Sequence, residues 1–91
     1  MSTSPYSYAY LLSKNTYNSV TEANNVGIAQ GSRVVYAKSS TLSSGDILYG
    51  DSRLTQPVFG NDTDWSAVQL LTNENETYAV AISTEAIIAV D

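Results

Sequence analysis

Tyr6, Tyr8, Tyr10 and Leu12 fall on every second position with Ser7, Ala9 and Leu11 between them, which is the period of an extended strand with one aromatic face. That pattern predicts a first strand over residues 6–13. The stretch 15–31 is rich in Asn, Thr, Ser and Gly and is read as irregular; the alternative is a short helix over Val20–Asn25, since Thr21-Glu22-Ala23 is helix-compatible, but Asn24-Asn25 and Gly27 stop it early. Arg33-Val34-Val35-Tyr36-Ala37 and Asp46-Ile47-Leu48-Tyr49 are compact β-branched and aromatic runs, read as two strands joined by the polar loop 39–44. Gly50-Asp51-Ser52 and Gly60-Asn61-Asp62 are turn signals, and Pro57 bars a central strand around it. Residues 65–71 alternate weakly before Thr72-Asn73-Glu74-Asn75-Glu76 breaks the pattern. Tyr78-Ala79-Val80-Ala81-Ile82 and Ile87-Ile88-Ala89-Val90 are the clearest late strands, and the link 83–86 is short enough for a hairpin.

Five or six short strands at spacings of about 8–15 residues predict an all-β fold, a small antiparallel sandwich or barrel with an extended N-terminal segment. The expected organisation is an attachment segment with the first strand over residues 1–31, then a compact β-module over 32–91. The final strand, 87–90, is ordered only if it pairs, so it is expected either within the sheet or lent to a neighbour.

Composition then limits what holds such a domain together. A chain of 91 residues is of one-domain length, at which only about 60–65% of the unfolded surface becomes hidden. Neither Cys nor His is present, so disulfide stapling is excluded and the commonest zinc ligand and general base are missing. Association of subunits is the remaining common source of stability. Hydrophobic residues make up 43% and charged residues 14%, a balance that favours an ordered domain over a disordered one. The four basic residues, Lys14, Arg33, Lys38 and Arg53, are scattered under a net charge of −5, which disfavours nucleic acid as a partner. No apolar run reaches the roughly 18–20 residues a membrane span needs, and Met1-Ser2-Thr3-Ser4-Pro5 lacks the pattern of an export signal. The expectation is a product made and kept in the cytosol, or one that leaves it by another route such as assembly into a particle and cell lysis.

The run Gly45-Asp46-Ile47-Leu48-Tyr49-Gly50-Asp51-Ser52-Arg53-Leu54-Thr55-Gln56-Pro57-Val58, followed by Gly60-Asn61, Trp65 and Tyr78-Ala79-Val80-Ala81-Ile82, resembles short β-modules with a G-x-x-L-Y-x-D-x-x-L-T-x-P core. Such modules occur in bacterial surface proteins and in structural proteins of tailed phages, including head fibres and tail appendages. The resemblance spans about residues 34–90; Ser83-Thr84-Glu85-Ala86 departs from it, since these modules usually carry a glycine-containing turn there. It implies a virion building block, a minor capsid, decoration or head-fibre-type component. Beside it stands a physical reading: Leu48 and Leu54 bury, Asp51 accepts backbone N–H groups in the turn between them, and Pro57 fixes the exit.

No constellation for catalysis is evident. Serines lack a histidine partner, phosphate-binding glycine loops are missing, and nothing separates Asp46 from Asp51 as an acid–base pair. Asn61, Asp62 and Asp64 offer oxygens for Ca²⁺ but lack the spacing of a calcium loop, so a solvated turn is the favoured reading and no metal or cofactor is expected. The expected interface residues are Tyr6, Tyr8, Tyr10, Leu12, Trp65, Ile87 and Val90, serving self-association as a homotrimer and attachment to larger capsid or tail proteins. The alternatives are a carbohydrate- or host-surface-binding module, with Trp65 and Tyr49 lining a groove for a glycan, and a small acidic inhibitor of a host protein.

Overall fold

The computed structural model describes residues 7–72 and 77–91. They form one antiparallel five-stranded sheet with one short helix, consistent with the small all-β fold expected. In chain order the elements are β1 (Tyr8–Ser13), α1 (Val20–Val26), β2 (Ser32–Ala37), β3 (Trp65–Leu70), β4 (Thr77–Ile82) and β5 (Ile88–Val90). The strands lie side by side as β2-β1-β3-β4-β5. Tyr6, and with it residues 1–6 of the expected extended segment, lie outside the described residues.

The period of two along β1 assigns each side chain to a face. Tyr10 pairs with Val35 on β2 and with Leu70 on β3, and Leu12 pairs with Val68. Across β4 and β5 the same face continues through Val80, Ile82 and Ile88. This inner face holds the main core, and Leu42, Leu48 and Val58 cover it from the long connection between β2 and β3. Full burial of a side chain such as Leu48, at 0% exposure, contributes on the order of 1.5–3 kcal/mol. On the outer face, α1 lies against β3 and β4 and forms a smaller cluster of Tyr17, Ala23 and Ala79, with Trp65 packed beside it.

Of the segment 1–31, the described part contributes its strand to the same sheet as the module that follows. β1 is an interior strand, hydrogen-bonded to β2 on one side and β3 on the other. Its apolar alternation, which made it look like an interface row, is the signature of a strand buried between neighbours.

The stretch favoured as irregular carries the short helix that was the alternative reading there, α1. Ser19 caps it, its Oγ accepting the Glu22 N–H at 3.1 Å, and the Ser-x-x-Glu spacing is a recognised start signal. Ala23 is fully buried against the sheet, and Gly27, at φ 58°, ends the helix by donating its N–H to Ala23 O.

Asp46-Ile47-Leu48-Tyr49, expected as a strand, forms only isolated bridges. Ile47 bridges Ile87 beside β5, while Tyr49 bridges Tyr36 on β2. The segment therefore spans from one sheet edge to the other and does not run along a single partner. Asp51 behaves as the turn required, its carboxylate accepting the Thr55 and Gln56 N–H groups at 2.8 and 3.0 Å. Leu54 does not reach the core; it is only partly buried and sits at φ 60° within that turn.

β4 and β5 form the expected hairpin, and Ile87–Val90 is sewn into the sheet over its last three residues. The glycine that such a turn favours is replaced by Ala86, which takes φ 69° with its methyl fully buried. Ser83 compensates locally, its Oγ accepting the Glu85 and Ile87 N–H groups, each at 3.1 Å.

Two substitutions test this packing. Gly60 crosses the end of β4 so closely that a Cβ would lie 2.1 Å from Ile82 O. Gly60→Ala should cost at least about 1–3 kcal/mol, read as a lower urea midpoint with unchanged slope; an unchanged midpoint would mean the loop approaches β4 less closely. The Tyr17 hydroxyl is buried with no hydrogen-bond partner among the described residues. Tyr17→Phe should therefore raise stability by about 1 kcal/mol, and a lower melting temperature would show that the hydroxyl is satisfied after all.

Candidate functional site

Among the described residues, the expected interface residues are not brought together. Tyr10 and Leu12, at 0% and 3% exposure, are core. Val90 is partly buried against that same core, and Trp65 packs beside the α1 cluster on the opposite face. Only Tyr8 and Ile87 are exposed, at 38% and 40%, and they sit on β1 and beside β5, two strands apart from each other across β3 and β4. The groove of Trp65 and Tyr49 does not form either. Trp65 exchanges backbone hydrogen bonds with Tyr17, and Tyr49 with Tyr36 at the β2 edge.

Tyr10 shows what the aromatic row does instead. Its hydroxyl donates to Ser39 O at 2.6 Å, tying β1 to the start of the long connection. Burial, then the neighbouring Tyr78, Asp46 and Tyr8, push its phenol up to about 12. A buried phenolate is disfavoured, so the folded chain holds this proton more tightly than the unfolded chain does.

Polar side chains that looked available in sequence are engaged in their own turns. Asp46 accepts the Ser43 N–H at 2.9 Å, and hydrogen bonds from Thr55 and Gln56 hold the Asp51 carboxyl below its ordinary range. Asp62 accepts from Thr84 N, whereas Asn61 Oδ1 accepts the Thr63 and Asp64 N–H groups. The three oxygens considered for calcium thus serve different partners. Among the described residues no group of three acidic side chains could hold a metal ion, and no helix is long and apolar enough to cross a membrane.

Two surfaces remain. The first is the β1–β2 half of the outer face, which α1 leaves open. Leu11 pairs with Val34 and Ala9 with Tyr36 there, and Leu71 donates its N–H to Ala9 O beside them. Val34 and Leu71 are 44% and 45% exposed. In an antiparallel ladder successive residues aim their backbone groups to opposite sides. Tyr36 uses its outward pair on Tyr49, and the outward groups of Ser32 and Val34 have no backbone partner among the described residues, which leaves an edge there.

The second is a cleft of about 320 Å³ on the inner face, at the end of the sheet where β1 leaves it. Leu12, Val58 and Ile82 floor it, Phe59 stands at its side, and Lys14 and Arg33 line it with Asn61 and Asp64. Asp64 Oδ2 accepts from Asn61 Nδ2 at 2.9 Å and Thr16 Oγ1 at 3.1 Å. Those bonds, with Thr63, hold its carboxyl below the ordinary range, so it is ionised at neutral pH. Sequence reasoning passed over this group. Phe59 is the single Phe of the chain and lies in a turn-rich stretch, a usable signal, but only the β1–β2 register brings Lys14 and Arg33 together.

No family model, no curated protein and no solved structure matches the chain.

The Tyr10 environment sets an alkaline limit. Because its folded pKa of about 12 exceeds the unfolded value of about 10, the stability it contributes is complete below pH 10 and falls as pH rises from there through 12. Tyr10→Phe should lower stability at neutral pH by about 1 kcal/mol through the lost hydrogen bond, and should flatten the loss between about pH 10 and 12 in urea titrations. An identical alkaline slope in both proteins would remove Tyr10 as its source.

Proposed function

We propose that this protein is a structural subunit that works by assembly, in the setting the resemblance implies: a minor capsid, decoration or head-fibre-type component of a tailed-phage particle. It associates as a homotrimer and attaches to larger capsid or tail proteins. The observation that carries the reading is an apolar strip, exposed Val34 and Leu71 beside half-buried Leu11, next to an outer edge of β2 that is unpaired among the described residues. An edge that pairs its outward backbone groups with another chain gains main-chain hydrogen bonds, and the strip beside it gains apolar burial. Low charge density supports the same reading, because few ions must be stripped of water at a contact.

A threefold arrangement requires the β1–β2 surface of one copy to meet a different surface on the next, since identical patches facing each other across a twofold axis close a dimer. The attached surface is therefore distinct from the strip, and the exposed Ile87 beside β5 is a reasonable place for it.

Light scattering should give three times the 9.8 kDa chain mass, with a melting temperature that rises with protein concentration, because association stabilises only the folded form. Val34→Lys places a charge on the exposed edge without touching the core, and should yield a folded single-chain species. A wild-type chain that is monomeric and melts at the same temperature at every concentration would end the assembly reading.

A further inference from the structure

Lys14 and Arg33 are two of only four cations in a chain of net charge −5, and both line the same cleft. The register explains why. Arg33 pairs with Leu12, and Lys14 follows two residues later with its N–H on Gly31 O. They are diagonal neighbours on the inner face, about 7–8 Å apart at the backbone. Neither makes an ion pair or a side-chain hydrogen bond with a described residue. Two like charges left side by side are mutually unfavourable, and an anion placed between them removes that cost.

The remainder of the cleft selects the kind of anion. Phe59 is 65% exposed, an aromatic face offered to solvent where burial would stabilise it. In the same lining, Asp64 is a fixed acceptor whose Oδ2 is engaged by Asn61 and Thr16, while Oδ1 meets only Thr63 Oγ1 at 3.4 Å. A carboxylate repels simple anions, so its presence disfavours a densely charged ligand and favours one that also donates hydroxyl hydrogens. A cleft with an apolar floor and few convergent polar groups, at about 320 Å³, is at the small end of ligand sites, of roughly 300–1,000 Å³.

We infer that this cleft binds an acidic monosaccharide, a pyranose bearing one carboxylate, as a free sugar or at the end of a glycan. The carboxylate sits between Arg33 and Lys14, a hydroxyl donates to Asp64 Oδ1, and the apolar side of the ring lies on Phe59. Arg33 supplies two parallel N–H donors and Lys14 a point charge, so the acid group is oriented as well as attracted. The inference stands apart from the assembly reading, because the cleft is on the inner face of β1 and the apolar strip on the outer face.

The test is titration of the full chain with D-glucuronate, followed by amide chemical shifts, with D-glucose and acetate as controls. Shifts should concentrate in residues 12–16 and 58–64, with an affinity on the order of millimolar, and glucose and acetate should each bind at least about tenfold more weakly because each lacks half of the recognition. Arg33→Met and Phe59→Ala should each lose about tenfold. Both positions are exposed, so the folded spectrum should persist and a weakened response reports on binding. Acetate binding as well as glucuronate would reduce the site to a carboxylate reader and overturn the sugar. Glucose binding as well as glucuronate, an Arg33→Met titration indistinguishable from wild type, or no shifts at all would overturn it equally.

Discussion

A sheet can bury one apolar face only if something lies across it, and in this chain the cover is the irregular connection of residues 38–64 between β2 and β3. Leu42, Leu48 and Val58 enter the core from that connection, and its backbone is anchored at both sheet edges. Tyr49 exchanges two hydrogen bonds with Tyr36 on β2, at 2.7 and 2.8 Å, while Asp46 O accepts from Ile88 N and Gly45 N donates to Ile88 O on β5. Cross-ties of this kind let a short chain without disulfides bury a core. Everything functional inherits its position from them. The crossing closes the β5 edge and leaves part of β2 open, and its return past Val58 and Phe59 builds one wall of the inner cleft.

Much of the sheet was legible because strand period is a local signal. Tyr8, Tyr10 and Leu12 alternate, as do the inner residues Val80 and Ile82 of β4, and the structure uses both runs as strands. What escaped was set by contacts distant in sequence. Asp46-Ile47-Leu48-Tyr49 has strand composition, yet its partners lie at opposite edges, so no ladder develops. α1 was only faintly legible for a different reason. Its Asn-rich interior has low intrinsic propensity, and it exists through a Ser19 cap and the burial of Ala23 against β3 and β4.

The candidate sites were less legible than the fold, for a physical reason that β1 illustrates. An aromatic row marks a strand that buries a face but does not say whether the burial is within the chain or against another. For Tyr10 and Leu12 it is within. The residues left exposed, Val34, Leu71 and Phe59, carry no periodic signal; they are identifiable only after the sheet has claimed its own core. Lys14 and Arg33 are nineteen positions apart and become neighbours through one register, that of β1 on β2.

That register is also what makes the two surfaces compatible. Even-numbered positions of β1 serve the inner face, Tyr10 and Leu12 in the core and Lys14 beyond the strand end in the cleft, whereas Ala9 and Leu11 serve the outer strip. A slip of one residue would exchange the two sets, placing tyrosines in solvent and small residues in the core. The Ser13 hydroxyl opposes such a slip: it is buried, donates to Asn15 O and accepts the Ala67 N–H from β3 at 3.0 Å. A contact at the outer strip therefore leaves the geometry of the cleft unchanged, since the strand between them is held from both sides. A chain built this way, if associated through the outer side of β1 as proposed, would still present the inner side to a ligand.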